Sequence, residues 1–412
     1  MLYSFILTLV FWGQIIPADT TDLTTIDVRK ALQIAYEHNP EINQLTNRIR
    51  AQQQQQILSI GLQDPELSYV KEGIGKGTFG EQRWSISQKI EFPLSSYYRY
   101  QNEKKLTAGL EYQLQARKLQ LKADVKSAYT RLAYAIENSH LAREQMTLFE
   151  QLSSAARTRS DLGEASEIDA MQANLQLSEA QNNLETAQNQ IMNARYDLFE
   201  TIGLDPEDQT YDISFPDTLH YIEVDINQNE VLQQLNHHPE LRQVSQAQLA
   251  MSLQVKAAKT SYLPDLSVSY YRQDFGGDYE FYGFQFGISL PLWFGANKSP
   301  RVKQAHARKR ETDWKFDQLQ LSLKKRAEQT WHGYQTTRAN IDRFRKSIQS
   351  RSIELVRLTQ KGYRYGELDL LTLLEAQRTY LRTQEAYYQT LRDYYLKVIE
   401  LEQYLQTDII FK

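Results

Sequence analysis

The chain has 412 residues, and its 47 lysines and arginines against 51 aspartates and glutamates leave a formal charge of -4. That balance lacks the basic excess a nucleic-acid partner calls for, and the absence of cysteine removes disulfides, thiolate metal sites, cysteine nucleophiles and a lipid-anchored N-terminal cysteine. A mean hydropathy of -0.59 excludes a bundle of transmembrane helices. Only 17 glycines and 10 prolines punctuate the chain, which predicts long uninterrupted helices, while 26 tyrosines are too many for a plain coiled coil and predict a second environment.

Residues 1–18 carry no charge and are strongly apolar over 2–12. They read as a secretory signal peptide cleaved after Ala18, although no Lys or Arg precedes the apolar run; a buried N-terminal helix is the alternative. A first structural repeat is expected over 19–203. It opens with helix over 27–61, Pro40 starting its second part. Strands follow at about 66–72 and 82–92. In the second, Trp84, Ile86, Ile90 and Phe92 alternate with Arg83, Ser85, Ser87, Lys89 and Glu91, a period of two. From Tyr97 to Arg159 no proline occurs and the only glycine is Gly109, so one helix on the order of 90 Å is predicted. A turn at Asp161-Leu162-Gly163 reverses it, and 168–202 returns, completing a hairpin over 97–202. A mixed linker rich in Asp, Pro and Asn spans 204–229.

The second repeat, 230–412, is expected to follow suit, with strands at about 265–273 and 281–292 and a hairpin over 298–405. Its long helix is predicted over 298–361 and its return over 369–405. In the return, Tyr387, Tyr394 and Leu401 lie seven apart, as do Leu391, Val398 and Leu405, which is the seam of a coiled coil. The doubling rests on an ordered series of matches. Asn39-Pro40-Glu41-Ile42 returns as His238-Pro239-Glu240-Leu241, and Asp64-Pro65-Glu66-Leu67-Ser68 as Leu263-Pro264-Asp265-Leu266-Ser267. Gly163-Glu164 returns as Gly366-Glu367, each with an alanine, Ala173 or Ala376, ten residues on.

Four strands of about ten residues with one apolar, aromatic face match tilted transmembrane strands. A sheet in lipid must close, because unpaired edge groups cost several kcal/mol each. Single-chain barrels begin at about eight strands, so several copies would each contribute four. The alternative is a soluble four-stranded sheet packed on helices.

On these residues the chain resembles the outer-membrane efflux protein family, the TolC-like channel components of bacterial tripartite pumps. The resemblance is carried by the helix end at 31–40, residues 85–92 with Pro93, Tyr262-Leu263-Pro264-Asp265-Leu266, Ser289-Leu290-Pro291-Leu292 and the two glycine-to-alanine helix starts. Residues 84–94 lean toward the branch that includes metal-ion efflux channels. The resemblance implies a mainly α fold with a transmembrane β part: a homotrimer with a twelve-stranded β-barrel in outer-membrane lipid, continued by a periplasmic α-barrel of coiled-coil hairpins. It implies that the hairpin tips narrow to a gate and dock a periplasmic adaptor protein, itself joined to an inner-membrane pump. The tip residues are Arg159, Asp161 and Gly163, and Tyr363, Arg364 and Gly366. Counted from each tip glycine, the family often carries acids at the sixth and ninth positions. Here these are Asp169 with the uncharged Gln172, and Thr372 with Glu375; Asp369 adds a further carboxylate. A ring of carboxylates at a constriction favours cations and raises its members' pKa, whereas the alternative is an ordinary solvated helix face.

Other motifs mislead. Gly75-Lys76-Gly77-Thr78-Phe79-Gly80 fits G-x-G-x-x-G and Asp274-Phe275-Gly276 looks like a kinase triplet, but a strand, not a helix, follows Gly80, and no V-A-I-K or H-R-D exists. Both read as hairpin loops. His237-His238 points to two faces without a third ligand and reads as a helix-joining turn. Neither catalytic residue nor cofactor nor metal site is predicted. The expectation is a passive exit duct, with a soluble periplasmic coiled-coil scaffold and a type I protein secretion duct as alternatives.

Overall fold

The computed structural model describes residues 24–61, 63–73, 80–163, 165–206, 211–213, 219–275, 280–289 and 293–411. The expected signal peptide, most of the two glycine-containing loops, Glu164 and strand residues 290–292 lie outside them.

The chain begins with strand β1 (Thr24–Ile26), helices α1 (Val28–His38) and α2 (Pro40–Leu58), strands β2 (Glu66–Glu72) and β3 (Glu81–Ile90), and helices α3 (Pro93–Asp161) and α4 (Glu167–Ile202). Strand β4 (Tyr211–Ile213) and helix α5 (Gln228–Gln234) follow. Helix α6 (Pro239–Thr260), strands β5 (Asp265–Asp274) and β6 (Glu280–Ser289), and helices α7 (Ser299–Arg343), α8 (Gln349–Arg364) and α9 (Leu370–Leu405) complete the chain. Helix α3 starts four residues before Tyr97, because Pro93 sits in its first turn, where a missing N–H costs nothing. Its 69 residues span about 100 Å.

Local chemistry explains the breaks. The Asp27 carboxylate caps α1 by accepting from Lys30 N at 2.7 Å. Asn39 caps α2, accepting from Glu41 N at 3.0 Å, while its amide donates to Thr201 O at the end of α4, at 3.3 Å. Gly203 closes α4 at φ +80, and a Cβ there would meet the His38 backbone at 3.0 Å. Only glycine satisfies both the left-handed backbone and that approach.

The sheet order is β2-β3-β5-β6, antiparallel throughout, and a separate parallel pair joins β1 to β4. The helices leading into and out of the strands pack in the matching order: α2 on α3, α3 on α6, α6 on α7. One sheet therefore continues into one layer of helices. Further along, α3 packs on α4 and α9, and α8 on α9. Ala173, Ala180, Ala187 and Ala194 bury a seven-residue stripe of α4, letting the helices approach closely. The expected seam of α9 is buried at Leu391, Tyr394, Val398, Leu401 and Leu405, with Tyr387 partly buried.

Two expectations need correction. The helix predicted over 298–361 is broken by a π-helical turn at Phe344–Ile348. The extra residue in that turn puts Phe344 against Tyr387, rings stacked 4.1 Å apart. The segment 204–229 is more than a linker. Its Tyr211–Ile213 pairs with Thr24–Ile26, and Val224 and Ile226 are buried against α7 and α9. Tyrosine hydroxyls hold this strap: Tyr394 donates to Ile222 O at 3.0 Å and accepts from Val224 N at 3.2 Å, Tyr395 donates to His220 O at 2.8 Å, and Tyr334 donates to Val224 O at 2.5 Å. Burial pushes the Tyr395 hydroxyl up to about 12 and that of Tyr394 higher still.

A buried charge joins the first half to the last turn of the chain. Lys126 of α3 is fully buried and donates to Glu402 Oε2 at 2.6 Å, Asp408 Oδ1 at 2.7 Å and Ile410 O at 2.9 Å. Glu402 Oε1 in turn accepts from Ile409 N and Ile410 N, both at 2.6 Å. Removing Lys126 or Glu402 strands the other's charge without water. Lys126→Met should cost about 3–5 kcal/mol in a denaturant titration followed by circular dichroism, whereas Lys122→Met, whose partner Asp408 is 40% exposed, should cost under about 1 kcal/mol. The pair also predicts acid behaviour. Burial acts to raise the Asp408 carboxyl, but hydrogen bonds from Lys122 and Lys126 outweigh it and hold the group below its ordinary 3.8. A lowered folded value contributes stability above the ordinary value and loses it as pH falls through the lowered one. Stability measured from neutral pH down to below about pH 4 should fall less steeply in Asp408→Asn than in the parent.

Candidate functional site

Two regions stand apart from the packed helices, and the first is the four-stranded sheet. Its register places Leu67 and Tyr69 of β2, Trp84, Ile86 and Ile90 of β3, Leu266 and Tyr270 of β5, and Tyr282, Phe284, Phe286 and Ile288 of β6 on one face. All are exposed, Phe286 at 77% and Phe284 at 70%. Cross-strand rings meet, Tyr69 on Trp84 at 4.5 Å and Tyr270 on Phe284 at 5.4 Å. No helix of the chain makes extensive contact with this sheet among the described residues. An apolar face of this size left bare marks an interaction surface.

The opposite face is mostly polar, with Val70 and Phe281 the exposed apolar side chains on it. Ser68 and Ser85 hydroxyls share a hydrogen bond of 2.7 Å, Arg83 donates to Gln273 at 3.0 Å, and its guanidinium lies 5.5 Å from the centre of the Tyr271 ring. On β6 this face carries Gly283 and Gly287, each covered by a side chain of β5, Tyr271 and Ser267. A Cβ at Gly283 would strike the Tyr271 ring at 2.2 Å, so the small residue lets that ring lie across the strand. The outer strands β2 and β6 each have a free long edge among the described residues. The flanks of both expected hairpin loops are paired, Glu72 with Glu81 and Asp274 with Glu280, so the glycine motifs join strands.

The second region is the pair of hairpin tips, about 100 Å along α3 from the sheet. Gly163 and Gly366 both take left-handed backbone, φ +74 and +75, in open space. The residue before each, Leu162 and Tyr365, is exposed at 69% and 70%. The two tips meet within one chain: the Arg159 guanidinium sits 5.3 Å from the centre of the Tyr363 ring. Behind them, Phe149, Ala156, Ala173, Leu370 and Leu374 form a small core shared by both hairpins.

The candidate gate acids have local partners. Ser166 caps α4 and Asp169 completes its box: Asp169 N donates to Ser166 Oγ at 3.2 Å, and Ser166 N donates to the Asp169 carboxylate at 3.4 Å. In the other hairpin the acid stands first, with Asp369 capping α9 by accepting from Thr372 N at 2.9 Å. Hydrogen bonds from Thr372 hold the Asp369 carboxyl below its ordinary value. Thus the sixth position after each glycine is the third helical residue of a cap. Glu375 is exposed and lies 3.4 Å from Arg378, which also donates to Gln176 of α4 at 3.3 Å. That Arg378–Gln176 bridge between hairpins, like Arg159 on Tyr363, joins residues about 200 apart and carries no local signal.

The remaining candidates are structural. His238 is buried beside the Tyr404 ring, and burial lowers its pKa despite Glu240. His237 faces Arg242 at 2.8 Å. Among the described residues no group of three His, Cys, Asp or Glu is placed to hold a metal, and no helix is long and apolar enough to cross a membrane.

Comparisons place this geometry. Residues 231–406 match the family model described as outer membrane efflux protein. Toxin and drug export protein A of Aggregatibacter actinomycetemcomitans is 28% identical over 156 residues, which are 38% of this chain and 34% of that protein. The chain thus matches about a third of that relative's length. Among solved structures, the outer-membrane channel OprN aligns with a TM-score of 0.80 at 18% identity, covering 92% of this chain and 89% of its own. The outer membrane protein VceC of Vibrio cholerae aligns at 0.79 and 16% identity, covering 92% and 95%. At such identities the likeness is one of fold. Residues 231–406 thus match the outer membrane efflux protein model, and the chain as a whole shares the fold of solved outer-membrane channels, the resemblance its doubled motifs carried.

Proposed function

We propose that this chain is the exit duct of a tripartite efflux system, a homotrimer that conducts solutes passively from the periplasmic side to the exterior. The observation that carries the reading is the bare apolar sheet with two unpaired edges. In water that face would aggregate; in lipid its edges must pair. Three copies, each pairing β6 with the next β2, would make a closed twelve-stranded barrel. The polar face of serines and glycines would then line the lumen. The same order of helices and strands in both halves supports two copies of one unit, over 19–203 and 230–412. The helical layer would continue the duct into the periplasm as an α-barrel.

In this reading the hairpin tips dock the adaptor, which an inner-membrane pump accompanies. The exposed Leu162 and Tyr365 supply apolar contact area, and glycines at both turns let the tips sit close to a partner. Opening would be an iris-like shift of the hairpins. Chemistry is not part of the mechanism: the lumen offers few close contacts, and the pump supplies the energy. A polypeptide cargo is the second reading, favoured by the name of the toxin and drug export relative. The bare apolar sheet counts against a soluble scaffold.

The protein should fractionate with the outer membrane and open steps of conductance in planar bilayers; a buffer-soluble monomer without conductance would overturn the duct. Face by face, Phe286→Lys should cost about 2–4 kcal/mol of membrane stability near mid-depth and reduce the trimer recovered from membranes. Gln285→Lys, on the lumenal side, should leave recovery unchanged and shift ion selectivity. For the gate, Asp169→Ala with Glu375→Ala should raise resting conductance and weaken cation preference. Unaltered single-channel currents would remove those two residues from the gate and leave the fold standing.

A further inference from the structure

Beneath the sheet, α3, α6 and α7 border an open cleft of about 440 Å³. Small side chains, Ala257, Ala258, Ser261 and Ala305, leave the room. It lies on the polar side of the layer: Glu91 and Asp265 on its rim share strand parity with Ser87 and Ser267. The aromatic residues Tyr97 and Tyr100 line a different hollow, beside Ile90.

The charges on its wall are unequally satisfied. Each carboxylate is already engaged: Glu91 with Arg99, Asp265 with Lys89 at 3.5 Å, and Glu103 with Gln52 at 2.6 Å and Asn102 at 3.1 Å. By contrast, Lys298 and Arg301, one turn apart where α7 begins, have no side-chain partner among the described residues. Arg308, two turns further, extends the same row and makes no ion pair within 4 Å there. Two acceptors are also orphaned: the side-chain carbonyl oxygens of Asn102 and Gln254 are buried without a donor. The Asn102 amide orientation is set, because its nitrogen donates to Glu103. Buried acceptors of this kind are costly unless something donates to them.

Lys298 is half-buried and Arg301 exposed, and these unpaired cations at the mouth together with the unmatched acceptors in the wall suit one ligand chemistry. We infer that the cleft binds a small hydrophilic organic anion, a phosphate or carboxylate that also carries hydroxyl or amino groups. Lys298 and Arg301 take the anion, and Asn102 and Gln254 take the donors. Placed on the polar side, the site serves a dissolved solute rather than a lipid headgroup. This rests on the duct reading only for its meaning: three such sites around a lumen would give passing anionic cargo a resting place. A site of this kind holds weakly, so that cargo leaves again.

The test is microcalorimetry on the full chain in detergent, with glycerol 3-phosphate, inorganic phosphate, glycerol and short-chain phosphatidylglycerol as probes. Glycerol 3-phosphate should bind saturably with a Kd below about 10 mM, inorganic phosphate at least about fivefold more weakly, and glycerol not at all. Lys298→Gln with Arg301→Gln should weaken glycerol 3-phosphate at least about tenfold without moving the thermal melt. Gln254→Leu should bring glycerol 3-phosphate and inorganic phosphate within about twofold of each other. No saturable binding, binding indifferent to these variants, or tighter binding of the short-chain lipid would each overturn the site. Bilayer currents on the same samples keep the two readings apart: a conducting protein without binding loses the site and keeps the duct, and a binding protein without conductance does the reverse.

Discussion

A strand edge carries backbone donors and acceptors that hydrocarbon cannot satisfy, at a cost of several kcal/mol for each. In the proposed lipid setting the constraint would fall on β2 and β6, the two ends of a four-stranded sheet with which no helix makes extensive contact among the described residues. Everything else in the molecule is compatible with leaving that sheet bare. The helices pack in the order of the strands, as one layer, so none is free to fold back over it. A single layer has two faces, and the strand parity divides them into aromatic and serine-rich sides. The proposed trimer is the arrangement that pairs the edges and separates the two faces.

A layer one helix thick has little interior, so its cohesion comes from a few dense regions. One is the tyrosine cluster of α7 and α9, whose hydroxyls hold the backbone of residues 220–224. Another is the Lys126–Glu402 pair, which draws the last residues of the chain against α3. The first docks the segment between the halves onto the second half, and the second ties the first half to the end of the chain. A buried lysine of this kind is weak evidence for stability gained, since two apolar residues of similar volume often do as well. Its geometry matters more: Glu402 also accepts two backbone N–H groups, so the pair sets where the C-terminal segment docks.

The hairpin tips follow a different economy of contacts. Their turns are made by glycines in left-handed backbone, their helices are restarted by side-chain caps, and a small shared core lies behind them. The acids that a reading of the pore picks out are, first of all, capping groups and a partner of Arg378. A capping carboxylate keeps its charge and points near the tip, so capping and a pore role are compatible. Equally, the exposed rings and leucines there are displayed by the turn geometry and not by disorder of the chain.

What the sequence determined by itself was the local grammar. Alternation at Trp84–Ile90 and Tyr282–Ile288, the tip glycines, Pro40 at a helix start, and the heptads of α9 all act within a few residues, where backbone geometry couples side chains to secondary structure. Matching motifs in the two halves extended that reading to the order of elements. Tertiary structure alone decided the rest. The β1–β4 pairing, the strap under Tyr394, the ion pair of Lys126, the contact of Arg159 with Tyr363 and the cleft at Lys298 bring together residues far apart in the chain. Such contacts depend on how helices 36 to 69 residues long lie side by side, and small changes in crossing or register, such as the π turn at Phe344, alter which side chains meet.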